Sequence, residues 1–322
     1  AFYDAADCFD NAERRRWRVR LGDAASDALE HCSDLQPAAR AASSLRVQPS
    51  LEHDSYIAAV RKAQEYILSG DIYQVNLSRQ FASATAPDAP DAFFRLRQES
   101  PAPYTAFLSG ESGTLVSSSP ELFLSVDAIP RLVQSRPIKG TRPRGADPRE
   151  DARLRSDLAV SAKDRAENLM IVDLVRNDLT RIAEPGSVRA QPLFQVESYA
   201  TVHQLVSTVT CRLGEGRTAV DTVRACFPGG SMTGAPKVRT MDIIDRLEGG
   251  PRGIYSGAIG YFSLNGAMDL AMVIRTIVAT PDGVSYGVGG AVIALSDPPG
   301  EYEETVTKSA PLLRLLGQEF PA

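Results

Sequence analysis

Near the C-terminus, Glu301, Glu304, Thr305 and Lys308 fall three to four residues apart in GEYEETVTKSAPLLRLLG. On a helix that spacing lines the side chains along one stripe. Two carboxylates and an ammonium on one stripe form either a solvated, ion-paired face or one wall of a site. Turn residues in SDPPGE just upstream would set the start of this helix against the strand GVGGAVI. A second source of carboxylate is AKDRAENLMIVDLVRNDLTRI, where Glu167 and Asn168 stand near the beginning of a helical pattern. Hard cations such as Mg²⁺ take carboxylate oxygens and keep open positions for a ligand's own carboxylates. Glu167 facing Glu304 across a cleft would therefore suit a Mg²⁺-bound anionic substrate.

Lys139 sits in RPIKGTRPRG among prolines, glycines and the cations Arg136, Arg142 and Arg144. The segment is either a basic surface loop or the seat of a nucleophile, because a lysine beside other cations, or desolvated, carries a free amine near neutral pH. FPGGSMTGAPKVRTM resembles a phosphate loop only superficially: Ala235 and Pro236 separate Gly234 from Lys237, where a phosphate loop has lysine directly after glycine. GVGG at 287–290 likewise lacks the third glycine and following helix of a dinucleotide fingerprint. Both glycine-rich stretches can still offer backbone N–H groups to an anion.

The elements that must carry these residues are mixed. Tyr56, Ile57, Val60, Ala63, Ile67 and Leu68 recur at helical spacing before Gly70. IYQVNLSRQF then alternates as a half-buried strand, with Tyr73, Val75, Leu77 and Phe81 on one face. Further strands are expected at 104–108, 121–126, 131–138, 199–213, 257–264, 270–280 and 284–293, and helices at about 148–182, 217–226, 236–248 and 301–317. Helices grouped between sets of strands predict an α+β fold rather than a doubly wound parallel sheet.

Composition narrows the function classes. The 322 residues carry a net charge of -5 with both signs interspersed, so no basic stripe is present for nucleic acid. No run approaches the roughly 20 apolar residues of a membrane helix. The opening AFYDAADCFDNAERRR is neither a signal nor a transit peptide, so a cytoplasmic setting is expected. Cys8, Cys32, Cys211 and Cys226 lack metal-site or disulfide-framework spacing and read as reduced structural thiols. Residues 1–50 hold two short segments and a linker rich in Pro, Ala and Ser, and 51–322 form the main domain. The chain starts without methionine inside a strand-like segment, as though part of its N-terminal region were absent.

Taken in order, SSSPELFL, PIKGTRPRG, ENLMIVDLVRNDL, GGSMTGAPKVRTM, GAIGYF, IRT and SDPPGEYEETVTKSAPLL resemble the chorismate-utilising enzymes over roughly residues 52–318. That resemblance implies an anthranilate-synthase-like fold of two large packed β-sheets with helices outside. Residues 1–34 resemble the end of the family's N-terminal region. Water-adding members carry a lysine base where this chain has Gln74, which cannot serve as one, so an ammonia-using member is implied. Lysine in PIKGT, where anthranilate synthases read PIAGT, marks the aminodeoxychorismate synthase branch.

The resemblance assigns roles residue by residue. Glu121 becomes the general acid at the C4 hydroxyl of chorismate and Lys139 the nucleophile at C2. Glu167 and Glu304, with Glu301 directly or through water, become Mg²⁺ ligands for the ring carboxylate. Tyr255, Arg275, the amides of Gly289 and Gly290, and Lys308 would meet the other carboxylate. His203 is placed next to the leaving group, and Ser231 retains a hydroxyl where threonine is common. No cysteine lies in a glutaminase nucleophile context, so an ammonia-supplying glutamine amidotransferase partner is implied. The rival readings are an anthranilate synthase component and a non-catalytic binding module on the same fold. The second would show eroded acids, and Glu121, Glu167, Glu301 and Glu304 are all present.

Overall fold

The computed structural model describes residues 5–10, 15–20 and 47–316, so the linker expected before residue 50 lies largely outside the described residues. The chain divides into two compact units, Ala1–Arg40 and Ala41–Ala322. In the first, β1 (Ala5–Asp10) and β2 (Arg15–Arg20) pair antiparallel.

The second unit begins with β3 (Gln48–Pro49), α1 (His53–Leu68), β4 (Gln74–Ser83), α2 (Ala89–Glu99), β5 (Tyr104–Gly110), β6 (Gly113–Ser119), β7 (Leu122–Val126), β8 (Leu132–Ser135) and β9 (Ile138–Pro143). It continues through α3 (Pro148–Val160), α4 (Ala162–Thr180), β10 (Arg189–Ala190), β11 (Gln195–Ser198), β12 (Val202–Val206), β13 (Val209–Arg212) and α5 (Ala219–Cys226). After a 3-10 turn at Gly230–Met232 come β14 (Gly234–Ala235), α6 (Lys237–Glu248), β15 (Ala258–Phe262), β16 (Met268–Met272), β17 (Thr276–Thr280), β18 (Gly283–Val292) and α7 (Pro298–Leu315).

Two large antiparallel sheets flanked by helices organise this unit. A seven-stranded sheet runs β14-β4-β18-β17-β6-β5, with β3 also on β4, and a six-stranded sheet runs β10-β13-β8-β7-β16-β15. Ile259, Ala271 and Val273 of the six-stranded sheet region pack on Tyr104, Ala106 and Leu115 of the seven-stranded sheet, which joins the two by apolar burial. A third sheet, β11-β12-β9, stands apart from both.

The α+β expectation holds, but three strands read as continuous in the sequence each divide between sheets. The 131–138 run becomes β8 and the first residue of β9, the 199–213 run becomes β12 and β13, and the 270–280 run becomes β16 and β17. Alternation continues across such a corner, so periodicity alone does not mark it. At the last corner Arg275 takes a left-handed φ of 49°, a conformation that costs an L residue about 1–2 kcal/mol. The 148–182 helix is likewise two, broken at Ser161, whose side chain accepts from Asp164 N and caps α4.

β4 differs from its expected half-buried state. Gln74 through Arg79 are all buried, because β4 is interior to its sheet and both faces are covered. Tyr73 precedes the strand and is 69 % exposed rather than sharing the apolar face. Helix α2 was not expected. Asp88 accepts from Asp91 N, and Pro90 sits in the first turn, a start signal readable in APDAPDAFF.

Candidate active site

Glu121 lies between β6 and β7, separated from β6 by Pro120 and directly preceding β7, and its side chain is buried. Burial pushes its carboxyl up to about 7, against the opposing pull of Lys139, a hydrogen bond from Ser231, one from the Ile138 N–H, and the charge of Lys308. Asn76 Nδ2 donates to the Ser231 carbonyl at 3.2 Å, tying the turn that presents Ser231 to the interior strand β4. A recess beside Glu121 is lined by Ser135, Pro137, Gly230 and Ser231.

Lys139 is aimed by an irregularity in β9. Ile138 pairs with Val206 and Thr141 with Gln204, so Lys139 and Gly140 together oppose the single residue Leu205. Such a bulge re-aims its side chain, and Gly140 supplies the left-handed φ of 85° it uses. A Cβ at Gly140 would come within 2.8 Å of Asp164, so only glycine fits. Burial lowers the Lys139 pKa, with Lys308 acting in the same sense and Glu167, Glu121 and Glu304 opposing. Desolvation is the largest influence on both Glu121 and Lys139, and it favours the pair as carboxylic acid plus free amine over the ion pair.

Three carboxylates surround this pair from the helices. Glu167 lies on α4 and Glu301 on the first turn of α7, both buried, and burial raises both pKa values. Glu167 Oε1 and Glu301 Oε2 accept no hydrogen bond. Glu304 differs: burial opposes its ionisation, but Lys308, bonded to its Oε1 at 2.6 Å, together with the charges of Lys139 and Lys163, lowers the pKa. Lys163 Nζ stands 3.8 Å from both Glu167 Oε1 and Glu301 Oε1. Among the described residues no three acid, His or Cys side chains converge as a ready-made metal cage. Buried carboxylate oxygens without donors are nevertheless the chemistry a hard divalent cation requires, so these residues fit Mg²⁺ by donor type.

Gly289 and Gly290 sit inside the ten-residue strand β18, the strand expected at 284–293, opposite Ser78 and Leu77. A Cβ at Gly290 would lie 3.1 Å from Glu301 Oε2, so the bare backbone lets the acid approach. The ladder with β17 ends at Tyr286, leaving the following edge of β18 without a strand partner. Lys308 Nζ donates to the Gly289 carbonyl at 2.9 Å along that edge. In an antiparallel ladder the N–H and C=O of one residue point the same way, so the Gly289 N–H shares this edge while that of Gly290 turns back to β4. Only one of the two expected amides is thus free for an anion.

Arg275 stands at the corner between β16 and β17, and burial lowers its pKa. Its guanidinium makes no hydrogen bond or ion pair with the described residues. A guanidinium stays cationic at any working pH, and this one lacks an internal counter-ion. Tyr255 is buried with its hydroxyl pKa raised by burial, and its ring lies so close on Gly287 that a Cβ there would be 2.3 Å from Tyr255 Cγ.

His203 is not brought into this group. Its Nδ1 is 2.7 Å from Ser198 Oγ and its Nε2 is 3.0 Å from Asp151 Oδ1, so both ring nitrogens are engaged. Asp151 is in turn held by Arg144 and the Gly145 N–H. The ring therefore ties α3 to the β11–β12 pair, as a buried histidine with two partners does. Cys211 and Cys226 are buried thiols pushed up to about 11 and about 12 by burial.

Sequence reading passed over Lys163, although its place four residues before Glu167 was a usable signal. It also missed the support formed by Glu248 and Arg252, which nothing in their local spacing marks as interior. Glu248 accepts from Ser78 N at 2.7 Å and from Arg252 at 2.6 and 2.8 Å, and Arg252 reaches the Asn76 and Met232 carbonyls.

Comparison with known proteins agrees with this geometry. A family model described as chorismate binding enzyme matches residues 2–314. Aminodeoxychorismate synthase of Streptomyces griseus is 56 % identical over 96 % of this chain and 43 % of its own length. Aminodeoxychorismate synthase component 1 of Escherichia coli (strain K12) is 48 % identical over 84 % of this chain and 59 % of its own length. The chain thus spans only about half of such relatives. Among solved structures, anthranilate synthase component I from Streptococcus pneumoniae TIGR4 superposes with a TM-score of 0.82 at 31 % identity, covering 96 % of this chain and 72 % of that one. With the family model matched over residues 2–314 and the fold shared with a 31 % identical solved structure, the chain belongs to the family of chorismate-binding enzymes.

Proposed function

We propose that this chain aminates chorismate at C4 to give 4-amino-4-deoxychorismate, by way of a covalent adduct on Lys139. The observation that carries the reading is the buried Glu121–Lys139 pair, in which one environment raises the acid and lowers the amine. An acid protonated near pH 7 beside an unprotonated amine is the combination that acid-assisted substitution needs. The lysine amine attacks C2, both ring double bonds shift, and the C4–O bond breaks as Glu121 delivers its proton, releasing water. Ammonia then adds at C4, the double bonds shift back, and the C2–N bond breaks to return the lysine amine. The proton lost by the incoming nitrogen restores Glu121, so chorismate plus ammonia gives product plus water.

Arg275, Lys308 and the Gly289 N–H would hold one substrate carboxylate, with Tyr255 beside them and Ser231 keeping Glu121 in place. Glu167 and Glu304, with Glu301 directly or through water, would hold Mg²⁺, which when bound neutralises the ring carboxylate. His203 serves in this reading by fixing α3 and β12 rather than by touching substrate. Ammonia would come from a glutamine amidotransferase partner, and the product would lead through loss of pyruvate to 4-aminobenzoate and folate in the cytoplasm. Kinship supports the C4 choice: relatives named aminodeoxychorismate synthase reach 48 to 56 % identity, against 42 % for anthranilate synthase component 1 of Streptomyces coelicolor.

The test incubates purified chain with chorismate, Mg²⁺ and an ammonium salt and separates the products. A product that keeps the enolpyruvyl group and carries nitrogen at C4 is expected. Fluorescent anthranilate formed directly would overturn the assignment.

A further inference from the structure

Glu167 and Glu301 are two buried carboxylates on different helices; the charge of Glu301 raises the Glu167 pKa, and that of Glu304 raises the Glu301 pKa. Bringing two such charges together out of water is costly without a counter-ion. Lys163 supplies one. Its Nζ is 3.8 Å from an oxygen of each, and its charge favours ionisation of both. At 3.8 Å neither contact is a charge-assisted hydrogen bond, which runs to about 2.7–2.9 Å. The side chain is 53 % exposed, whereas those of the two acids are 10 % and 3 % exposed. Lys163 is therefore a loose cation on a flexible stem, over oxygens that accept no hydrogen bond of their own: Glu167 Oε1 and, on the far side of its carboxyl, Glu301 Oε2.

We propose that Lys163 is a tethered counter-cation that stands in for a divalent ion between Glu167 and Glu301 and swings to solvent when that ion binds. The inference rests on the metal assignment made above and gives it a regulator. Lys163 offsets the charge of the acid pair until the ion, with twice the charge and directly ligated, displaces it. Lys163 then sets metal affinity, and with it the metal concentration at which the site is loaded.

The experiment titrates Mg²⁺ alone, without chorismate, into the intact chain and its variants by calorimetry at fixed ionic strength. Lys163→Met keeps the stem and removes the charge, and its Mg²⁺ dissociation constant is expected to fall at least tenfold. Lys163→Arg keeps the charge and is expected to stay within about threefold of the parent. The metal-free melting temperature of Lys163→Met is expected to drop and to be recovered on adding Mg²⁺. An unchanged or weaker affinity in Lys163→Met, with the parent binding normally, would overturn the tethered-cation inference and leave the proposed function standing. No Mg²⁺ uptake by the parent would overturn the inference together with the metal assignment, while the amination assay would judge the rest separately.

Discussion

Replacing Glu121 with glutamine trades catalysis for stability, and the size of the trade follows from the site. The Glu121 carboxyl moves from an ordinary 4.5 to about 7 on folding, chiefly through burial. That difference of 7 − 4.5 = 2.5, at about 1.36 kcal/mol for each pKa unit, is about 3 kcal/mol. Because the folded pKa lies above the unfolded one, this stability is fully present below about 4.5 and is lost as pH rises through about 7. Glutamine has the same shape and can still take the Ile138 N–H and meet the Ser231 hydroxyl, but it never ionises. At pH 5, just above the unfolded pKa, Glu121→Gln should be the more stable in urea unfolding by only about 1 kcal/mol. By pH 8.5 that margin should reach about 3 kcal/mol, since contributions from all other groups cancel in the difference. Chorismate turnover should fall by at least a hundredfold, the scale of a lost general acid. In the parent, the rate should decline as pH rises through about 7, where the acid loses its proton. If the stability difference between the two proteins does not change from pH 5 to pH 8.5, Glu121 is already ionised in the folded state and cannot be the proton donor.

Lys139→Ala should abolish C4 amination, by about a hundredfold or more, while chorismate binding measured by calorimetry stays within about tenfold; unchanged turnover would remove the lysine from the reaction. Gly140→Ala places a Cβ 2.8 Å from Asp164 on a left-handed backbone, so it should cost about 1–2 kcal/mol in urea unfolding and lower kcat much as loss of Lys139 does. Arg252→Met leaves Glu248 buried without its cation and should cost about 3–5 kcal/mol, whereas the double variant with Glu248→Leu should recover much of that, which a double-mutant cycle measures.

Much of this was legible in the sequence because several signals are local. The stripe of Glu301, Glu304 and Lys308 needed only helical spacing, and Glu304 does bond Lys308. The opening turn SDPPGE does start α7, with Asp297 accepting from Gly300 N. What stayed hidden depends on which sheet a strand joins. Nothing in RLVQSRPIKGT shows that the chain leaves one sheet after Ser135 and enters another at Ile138, nor that Lys139 is bulged. His203 failed for a related reason: a histidine on a strand reads alike whether it faces a substrate or the pair Ser198 and Asp151. The strand expected at 284–293 forms as β18, and its glycines thin it where Glu301 and Tyr255 press on the backbone.

Glu121 and Lys139, to which we assign the reaction, stand near where the chain crosses between sheets, and that placement has a physical basis. A strand held on both sides has its backbone satisfied and its side chains fixed to two faces, leaving little freedom to aim a nucleophile. Where the chain crosses between sheets, bulges and left-handed residues turn side chains out of that alternation, as Gly140 does for Lys139 and the backbone of Arg275 does for its guanidinium. Burial at these corners lifts Glu121 and lowers Lys139. One buried setting thus raises the acid and lowers the amine together, so a change that let water reach one would act on both.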